Sequence, residues 1–416
     1  MSAGVQIREL KPAIASAPGR LDFLGGVADY SGSLVLEMPT QVRTSVTLTP
    51  EKGDTARFAS PSFGVATVDL APLRALVNDD APPAEFHAHL DSLNFPHWAR
   101  YPFGCFIVLA LHTRWFPASG YFLEVGSGVP DGQGVSSSAA LEIATLRAIN
   151  DAAGLGLPAI ELARLGQRAE NLIVGASCGL MDQLASSCGR PGELLPILCR
   201  PDTLYDPLPL PDGFMIAGWP SGVKHSVGAS PYATARAAAF MGKRILESLA
   251  GQRRNHTSEI PLETWRRFEA DLPASMSGTE FLAVYQNTDD ALTMINPDHV
   301  YPVRAATRFP IEENARAHRA RDLIAHYASD PTASATELRE ILTSSHHGYS
   351  AMGLGSAETD LLVQSVLDEP LETGLIGGRI SGGGSGGTVV VLLEKRAEAR
   401  LQKMVARYRR DSPIIV

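Results

Sequence analysis

The stretch Val129-Pro-Asp-Gly-Gln-Gly-Val-Ser-Ser-Ser-Ala-Ala140 constrains this chain more than any other. A glycine-rich turn runs straight into a helix. Gly132 and Gly134 carry no side chain, so backbone N–H groups there can approach an anion closely. Ser136, Ser137 and Ser138 are expected in the first helical turn, which has unpaired N–H groups and the positive end of the helix dipole. Such a place suits phosphate. Ala139, Ile143 and Leu146 mark the apolar stripe of the helix, with Glu142, Thr145 and Arg147 between them. Taken alone, so short a motif reads first as a serine-capped helix after a tight turn.

At 416 residues the chain has room for two domains, each with its own core. A hydrophobic share of 44% and a charged share of 19% are those of a globular protein. The net charge is −9 and no Lys/Arg run stands out, which argues against nucleic acid or an anionic membrane as partner. Cys105, Cys178, Cys188 and Cys199 form no CxxC and no zinc spacing, so a reduced cytoplasmic protein is expected. Met1 to Ile14 shows no signal-peptide pattern, and no apolar run reaches membrane-span length.

Along the chain, strand signals at Ala13–Ala17, Leu34–Leu36 and Gln41–Thr49 are separated by turn signals at Pro18-Gly19 and Tyr30–Ser33. Residues 50–95, polar and proline-rich, read as surface hairpins. Pro102–Thr113 reads as a buried helix and Tyr121–Val125 as a strand. Ala159–Val174 reads as an amphipathic helix with Leu162, Leu165, Ala169, Leu172 and Ile173 as its stripe. The Pro-rich stretch Pro201–Pro211 is the expected junction, giving domains 1–208 and 209–416. Helices are expected at Ala233–Gly251, Thr307–Ala328, Leu338–Gly348 and Glu398–Arg409. Leu371–Ile380, Ser381–Gly387 and Thr388–Leu393 read as strand, turn, strand. Periodicity thus supports a mixed α/β chain.

No Walker A sequence and no protein-kinase signature occurs. G-x-S-x-G occurs around Ser385 and around Ser177. The first runs into a strand and the second follows a helix, so neither has the strand-before, helix-after setting of a nucleophile elbow. Glu170, at the edge of a helical stripe, reads as a solvated helix residue or a functional carboxylate. Asp182, among Gly, Ser and Ala, reads as a cap or as a carboxylate approached by a ligand. His346-His347 reads as surface or packing, since adjacent helical residues point apart.

Three segments together resemble the signature motifs of the GHMP small-molecule kinases. Ala17-Pro-Gly-Arg20-Leu-Asp-Phe-Leu-Gly-Gly26-Val-Ala-Asp29-Tyr30 resembles the galactokinase pattern A-P-G-R-x-N-x-I-G-E-H-x-D-Y. Gly132–Ala139 resembles the second motif, and Arg379-Ile-Ser-Gly-Gly-Gly-Ser-Gly-Gly387 the third. Ala169-Glu170-Asn171, Gly179-Leu-Met-Asp182-Gln183 and Ser345-His346-x(13)-Asp360-Leu361 also match, in the family's order. Residues 25–36, 221–228, 239–242 and 278–282 are similar to the kinase region of plant L-arabinokinases, which carry a further N-terminal region.

The resemblance implies an α/β (α+β) two-domain fold. Its N-terminal domain would be ribosomal protein S5 domain 2-like, its C-terminal domain ferredoxin-like. It implies transfer of the ATP γ-phosphoryl group to a sugar C1 hydroxyl. Gly132, Gln133, Gly134, Val135, Ser136, Ser137 and Ser138 would cradle the ATP phosphates. Ser138 and Glu170 match the Mg²⁺ ligands, and Asp182 the catalytic base with Arg20 as its partner. Gly26, Asp29 and Tyr232 match sugar-contacting positions, with Asp182 also meeting the sugar. The loop Gly382, Gly383, Gly384, Ser385 and Gly386 would close beside phosphates and substrate. A monomer or weak homodimer is expected, with a monosaccharide and ATP as its partners.

Galactokinases carry Glu-His where this chain has Gly26-Val27. The resemblance implies that this pair holds the galactose hydroxymethyl group, which L-arabinopyranose lacks. Gly26 and Val27 together remove the polar demand, and Gly26 is expected to open space. L-arabinose is therefore the expected substrate. A galactokinase, another sugar or uronic acid 1-kinase, and a catalytically silent sugar sensor are the alternatives.

Overall fold

The computed structural model describes residues 5–176, 178–200, 202–224, 231–290, 293–409 and 414–416. The chain divides into two compact units, each assembled from separated segments. One comprises Met1–Gly19, Gln41–Pro130 and Ser136–Cys188; the other comprises Arg20–Thr40, Asp131–Val135 and Gly189–Val416. The boundary expected between 208 and 209 lies inside the second unit, on the short strand Leu208–Pro209.

In the first unit, Thr44–Pro50 of the long strand Leu34–Pro50 pairs antiparallel with Tyr121–Ser127. Tyr121–Glu124 runs parallel to Ala56–Ala59, and Thr55–Ser60 forms a hairpin with Gly64–Asp69. The stretch read as hairpins also contains two helices, Leu70–Asn78 and Pro83–Ser92. Their buried residues Leu70, Leu73, Val77 and Phe86, Leu90 recur at helical spacing, a signal that the polar, proline-rich composition hid. Helix Arg100–Thr113 is buried from Pro102 to Ala110 and packs with Ser137–Ala153 and Ala159–Ala169 in one core.

Strand Ala13–Leu24 passes straight through Pro18-Gly19, overriding the turn signal of that dipeptide. Among the described residues this strand pairs with Leu34–Pro50 alone, so a residue lacking an N–H is tolerated on its other edge. The expected helix Ala159–Val174 ends at Ala169, and a single π-helical turn, Glu170–Val174, follows. That wider turn rotates the stripe: Ile173 is buried, Leu172 is exposed, and the Glu170 side chain lies inward.

In the second unit, Thr388–Glu394 is the central strand of an antiparallel sheet, flanked by Phe214–Pro220 and Leu375–Ile380. All residues of Leu375–Ile380 and nearly all of Thr388–Glu394 are buried, as when both faces of a sheet are covered. Ala357–Leu367 and Glu398–Tyr408 supply Leu362, Val363, Val366, Leu401 and Val405 to one core. Within the expected junction Pro201–Pro211, Asp202–Leu204 and Leu208–Pro209 are instead short strands paired with Glu193–Cys199. No helix among the described residues is long and apolar enough to cross a membrane.

Candidate active site

The glycine-rich loop has the geometry its sequence demanded. Gly132, Gly134 and Ser136 all have positive φ, alternating with residues of ordinary conformation. Alternation of this kind turns successive backbone N–H groups to one side of a loop, forming an anion-binding concavity. At Gly134 a Cβ would combine a φ of +68° with a 3.1 Å approach to the Ser381 carbonyl. Ser136 is the N-cap residue rather than part of the first turn, and the helix begins at Ser137. Its hydroxyl does not cap the helix; it donates to Asp182 Oδ2 at 2.6 Å.

Asp182 stands in the first turn of helix Met181–Cys188, half-buried. Next to it, Gln183 is fully buried and its amide nitrogen bridges two carboxyl groups, at 2.8 Å from Glu170 Oε2 and 3.0 Å from Glu142 Oε2. The Cys178 thiol also donates to Glu170 Oε2, at 3.4 Å. Burial, then the charge of Asp182, pushes the Glu170 carboxyl up to about 7, against hydrogen bonds from Cys178, Ser138 and Gln183 that pull it down. Glu142 lies one turn beyond Ser138 and is fully buried; burial, then the Glu170 charge, pushes it well above the usual carboxylate range. Of the two readings left open for Glu170, the solvated one is excluded, because the residue is 8% exposed.

In the second unit, Arg20 is buried and its Nε lies 3.2 Å from Glu37 Oε2. Its Nη1 donates to the Gly134 carbonyl at 2.7 Å, and its backbone N–H donates to Val135 O at 3.1 Å. Thr388 Oγ1 donates to the Gln133 carbonyl at 2.8 Å. The segment Asp131–Val135 is thus held by the third-motif hairpin and by the strand bearing Arg20. The stem of Lys224 passes over Gly132, where a Cβ would lie 3.6 Å from Lys224 Cδ. Residues 225–228 of the 221–228 match, and Ser177 of the second G-x-S-x-G, lie outside the described residues.

Asp29 sits in the helical turn Gly26–Ser31, with Oδ1 accepting from the Tyr30 N–H at 2.6 Å. The Tyr30 ring meets Tyr232 edge-on at 6.0 Å between centroids, and the Arg236 guanidinium lies 5.2 Å from its centre. Gly26 does not open space on its Cβ side. A Cβ there would lie 1.9 Å from the Tyr349 hydroxyl. Val27 is 3% exposed and belongs to the core of this unit.

The family model described as GHMP kinases N terminal domain matches residues 100–190, and that described as GHMP kinases C terminal matches 332–410. A galactokinase of Chloroflexus aggregans is 31% identical over 400 residues, covering 95% of this chain and 87% of that protein. The chain belongs to the GHMP kinases.

This GHMP kinase is also 35% identical to the L-arabinokinase of Arabidopsis thaliana over 91% of its own length. It spans 42% of that longer protein. The crystal structure of Lactococcus lactis galactokinase complexed with galactose superposes with a TM-score of 0.71 at 21% identity, covering 97% of this chain and 92% of that one. The fold is therefore the two-domain GHMP kinase fold, with mixed α/β content, and the chain is a kinase of that family.

Within this GHMP kinase, the first unit brings Ser136, Ser138, Glu170 and Asp182 together. The second brings Arg20 to Gly134 and Val135, and sets the 381–387 loop against the same segment. Sequence reasoning missed Glu142, Gln183, Glu37 and Lys224 as members of these clusters. It also passed over Asp22, where the family pattern has Asn; Asp22 forms a fully buried ion pair with Arg379 at 3.1 Å. His346 resolves into packing, buried with Nε2 3.0 Å from Asp360 Oδ1, while His347 faces solvent.

Proposed function

We propose that this chain is an ATP-dependent sugar-1-kinase that phosphorylates the anomeric hydroxyl of L-arabinose. The observation that carries the kinase chemistry is the Ser136–Asp182 hydrogen bond. It ties a carboxylate to the residue where the phosphate loop becomes a helix. Asp182 accepts the proton of the attacking hydroxyl, and Arg20 stabilises charge near the attacking oxygen. The backbone of Gly132, Gln133, Gly134, Val135, Ser136, Ser137 and Ser138 holds the ATP phosphates, with Lys224 above Gly132. The loop Gly382–Gly386 would close beside them, in keeping with the 2.9 Å between a Cβ at Gly382 and the Gly134 carbonyl.

Ser138 and Glu170 fit Mg²⁺. Both are hard oxygen donors, and Gln183 and Cys178 hold Glu170 through Oε2. Among the described residues no group of three or more His, Cys, Asp or Glu side chains is placed to hold a metal, so phosphate and water would complete the shell. When bound, the ion neutralises charge developing on the transferring phosphoryl group. The chain's own contribution is positioning, which dominates a loose phosphoryl transfer.

For the sugar, Asp29 and Tyr232 contact ring hydroxyls, a carboxylate being able to accept from two neighbours. Gly26 has no side chain and that of Val27 is in the core, so neither offers a polar group to a hydroxymethyl substituent. That favours a pentopyranose, in keeping with the similarity to the plant L-arabinokinase. A galactokinase is the second reading, favoured by the high mutual coverage with the Chloroflexus aggregans protein. ADP release measured across pentoses, hexoses and uronic acids tests the proposal. L-arabinose-dependent release supports it, and release independent of every sugar overturns it.

A further inference from the structure

The turn carrying Asp29 and the third-motif loop are bridged twice, once through a phenolic oxygen. Tyr349 is fully buried in helix Pro331–Ala351. Its hydroxyl accepts from the Val27 N–H at 3.1 Å and donates to the Gly382 carbonyl at 2.7 Å. Asp22 makes a second bridge between the same segments: Oδ1 accepts from Gly26 N–H at 3.0 Å and Oδ2 from Gly382 N–H at 3.1 Å. Arg379 pairs with Asp22 Oδ2 and lies with its Cζ 5.0 Å from the centre of the Tyr349 ring. Phe309 meets that ring edge-on at 5.2 Å. The ring is therefore fixed on two sides, and the hydroxyl has one place to go.

That place is the volume a side chain at position 26 would need, since a Cβ there would fall 1.9 Å from the hydroxyl oxygen. Gly26 also has a φ of +50°, which L side chains rarely adopt. The bare residue at 26 and the phenol at 349 are thus two halves of one packing arrangement. We infer that Tyr349 is a positioning residue for sugar recognition: its hydroxyl fixes the Gly26–Ser31 turn, and with it Asp29, against the Gly382 loop. The inference rests on the assignment of Asp29 to the sugar. The phenol itself is fully buried, and it acts through the turn it holds at Val27 N–H.

Tyr349→Phe removes both hydrogen bonds and little volume. In that variant, amide hydrogen exchange of residues 25–31 is expected to quicken, and the sugar KM to rise about tenfold, with the ATP KM unchanged within about twofold. Gly26→Ala is expected to raise the sugar KM as well, by forcing the hydroxyl aside. The double variant Gly26→Ala/Tyr349→Phe is expected to be less impaired than the product of the two single effects, because the nearest clashing atom is gone, leaving Asp22 Oδ2 at 2.7 Å and Arg379 Nη2 at 2.9 Å from the new Cβ. Unchanged exchange in Tyr349→Phe overturns the positioning role whatever the substrate proves to be. Faster exchange with equal losses for sugar and ATP reduces the residue to a general packing element and also overturns it. If the wild type turns over no sugar, the assignment of function fails separately, and the exchange experiment still decides whether Tyr349 holds the turn.

Discussion

The Ser136 hydroxyl donates to Asp182 Oδ2 across 2.6 Å, and it does so in preference to capping its own helix. A serine at this N-cap position ordinarily bonds back to the helix N–H groups. Here it orients a carboxylate instead. Asp182→Asn is therefore expected to keep the fold, the melting temperature and nucleotide binding, and to lose ~10²–10⁴-fold in turnover. Ser136→Ala is expected to lose less, because it frees the carboxylate without removing it. Single-turnover ADP formation measures both. Near-wild-type turnover in Asp182→Asn would remove the residue from the mechanism.

Metal dependence tests the neighbouring cluster. Ser138→Ala and Glu170→Gln each remove an oxygen ligand or its charge, so each is expected to raise the Mg²⁺ concentration for half-maximal turnover. Gln183→Leu takes away the amide that bridges Glu142 and Glu170. Loss of such an orienting partner typically weakens a metal by about 10–100-fold. A Mg²⁺ titration identical to wild type in all three variants would contradict the assignment.

The raised Glu170 carboxyl has a consequence for the metal-free protein. Its folded value, about 7, lies above the unfolded value of 4.5. Protonation therefore stabilises the fold; that contribution is complete below the unfolded value and is lost as pH rises through the folded one. Relative to Glu170→Gln, metal-free wild type is expected to lose melting temperature between about pH 4.5 and pH 7. Thermal melts of both proteins across that window decide it, and parallel curves would refute the shift.

The buried Asp22–Arg379 pair gives a stability prediction. Both side chains are fully excluded from solvent, and the Asp22 carboxylate also accepts from Gly26 and Gly382. Asp22→Asn leaves the Arg379 charge without its paired carboxylate, with Glu313 as the next negative charge acting on it. Breaking one partner of such a pair typically costs ~3–5 kcal/mol. Urea unfolding of the two proteins is the check, and a loss below about 1 kcal/mol would show that the pair is dispensable.

The glycine-rich loop was legible because its backbone conformation admits few residues: Gly132, Gly134 and Ser136 each hold a positive φ. The ordered motifs carried Asp182, Glu170 and Arg20 with them. Glu142 escaped because helical periodicity sorts residues by polarity, and a buried carboxyl then looks like a solvated one. Tyr349 escaped for another reason. Its partner Val27 is 322 positions away, and so distant a pairing leaves no trace in a local pattern. The same contact corrects the expectation of open space at Gly26. It also rules out exchanging Gly26-Val27 for Glu-His as a clean test of sugar choice, since one change meets Tyr349 and the other enters the core.

Sugar choice is best tested on the unaltered protein. The decisive measurement is the ratio of kcat/KM for L-arabinose to that for D-galactose, with ATP and Mg²⁺ saturating. The expected ratio exceeds one, with residual galactose turnover, because the absence of a polar contact discriminates less strongly than an unpaired buried group. A ratio below one would contradict the assignment to L-arabinose and make the chain a galactokinase, while turnover of neither sugar would contradict the sugar-1-kinase assignment itself.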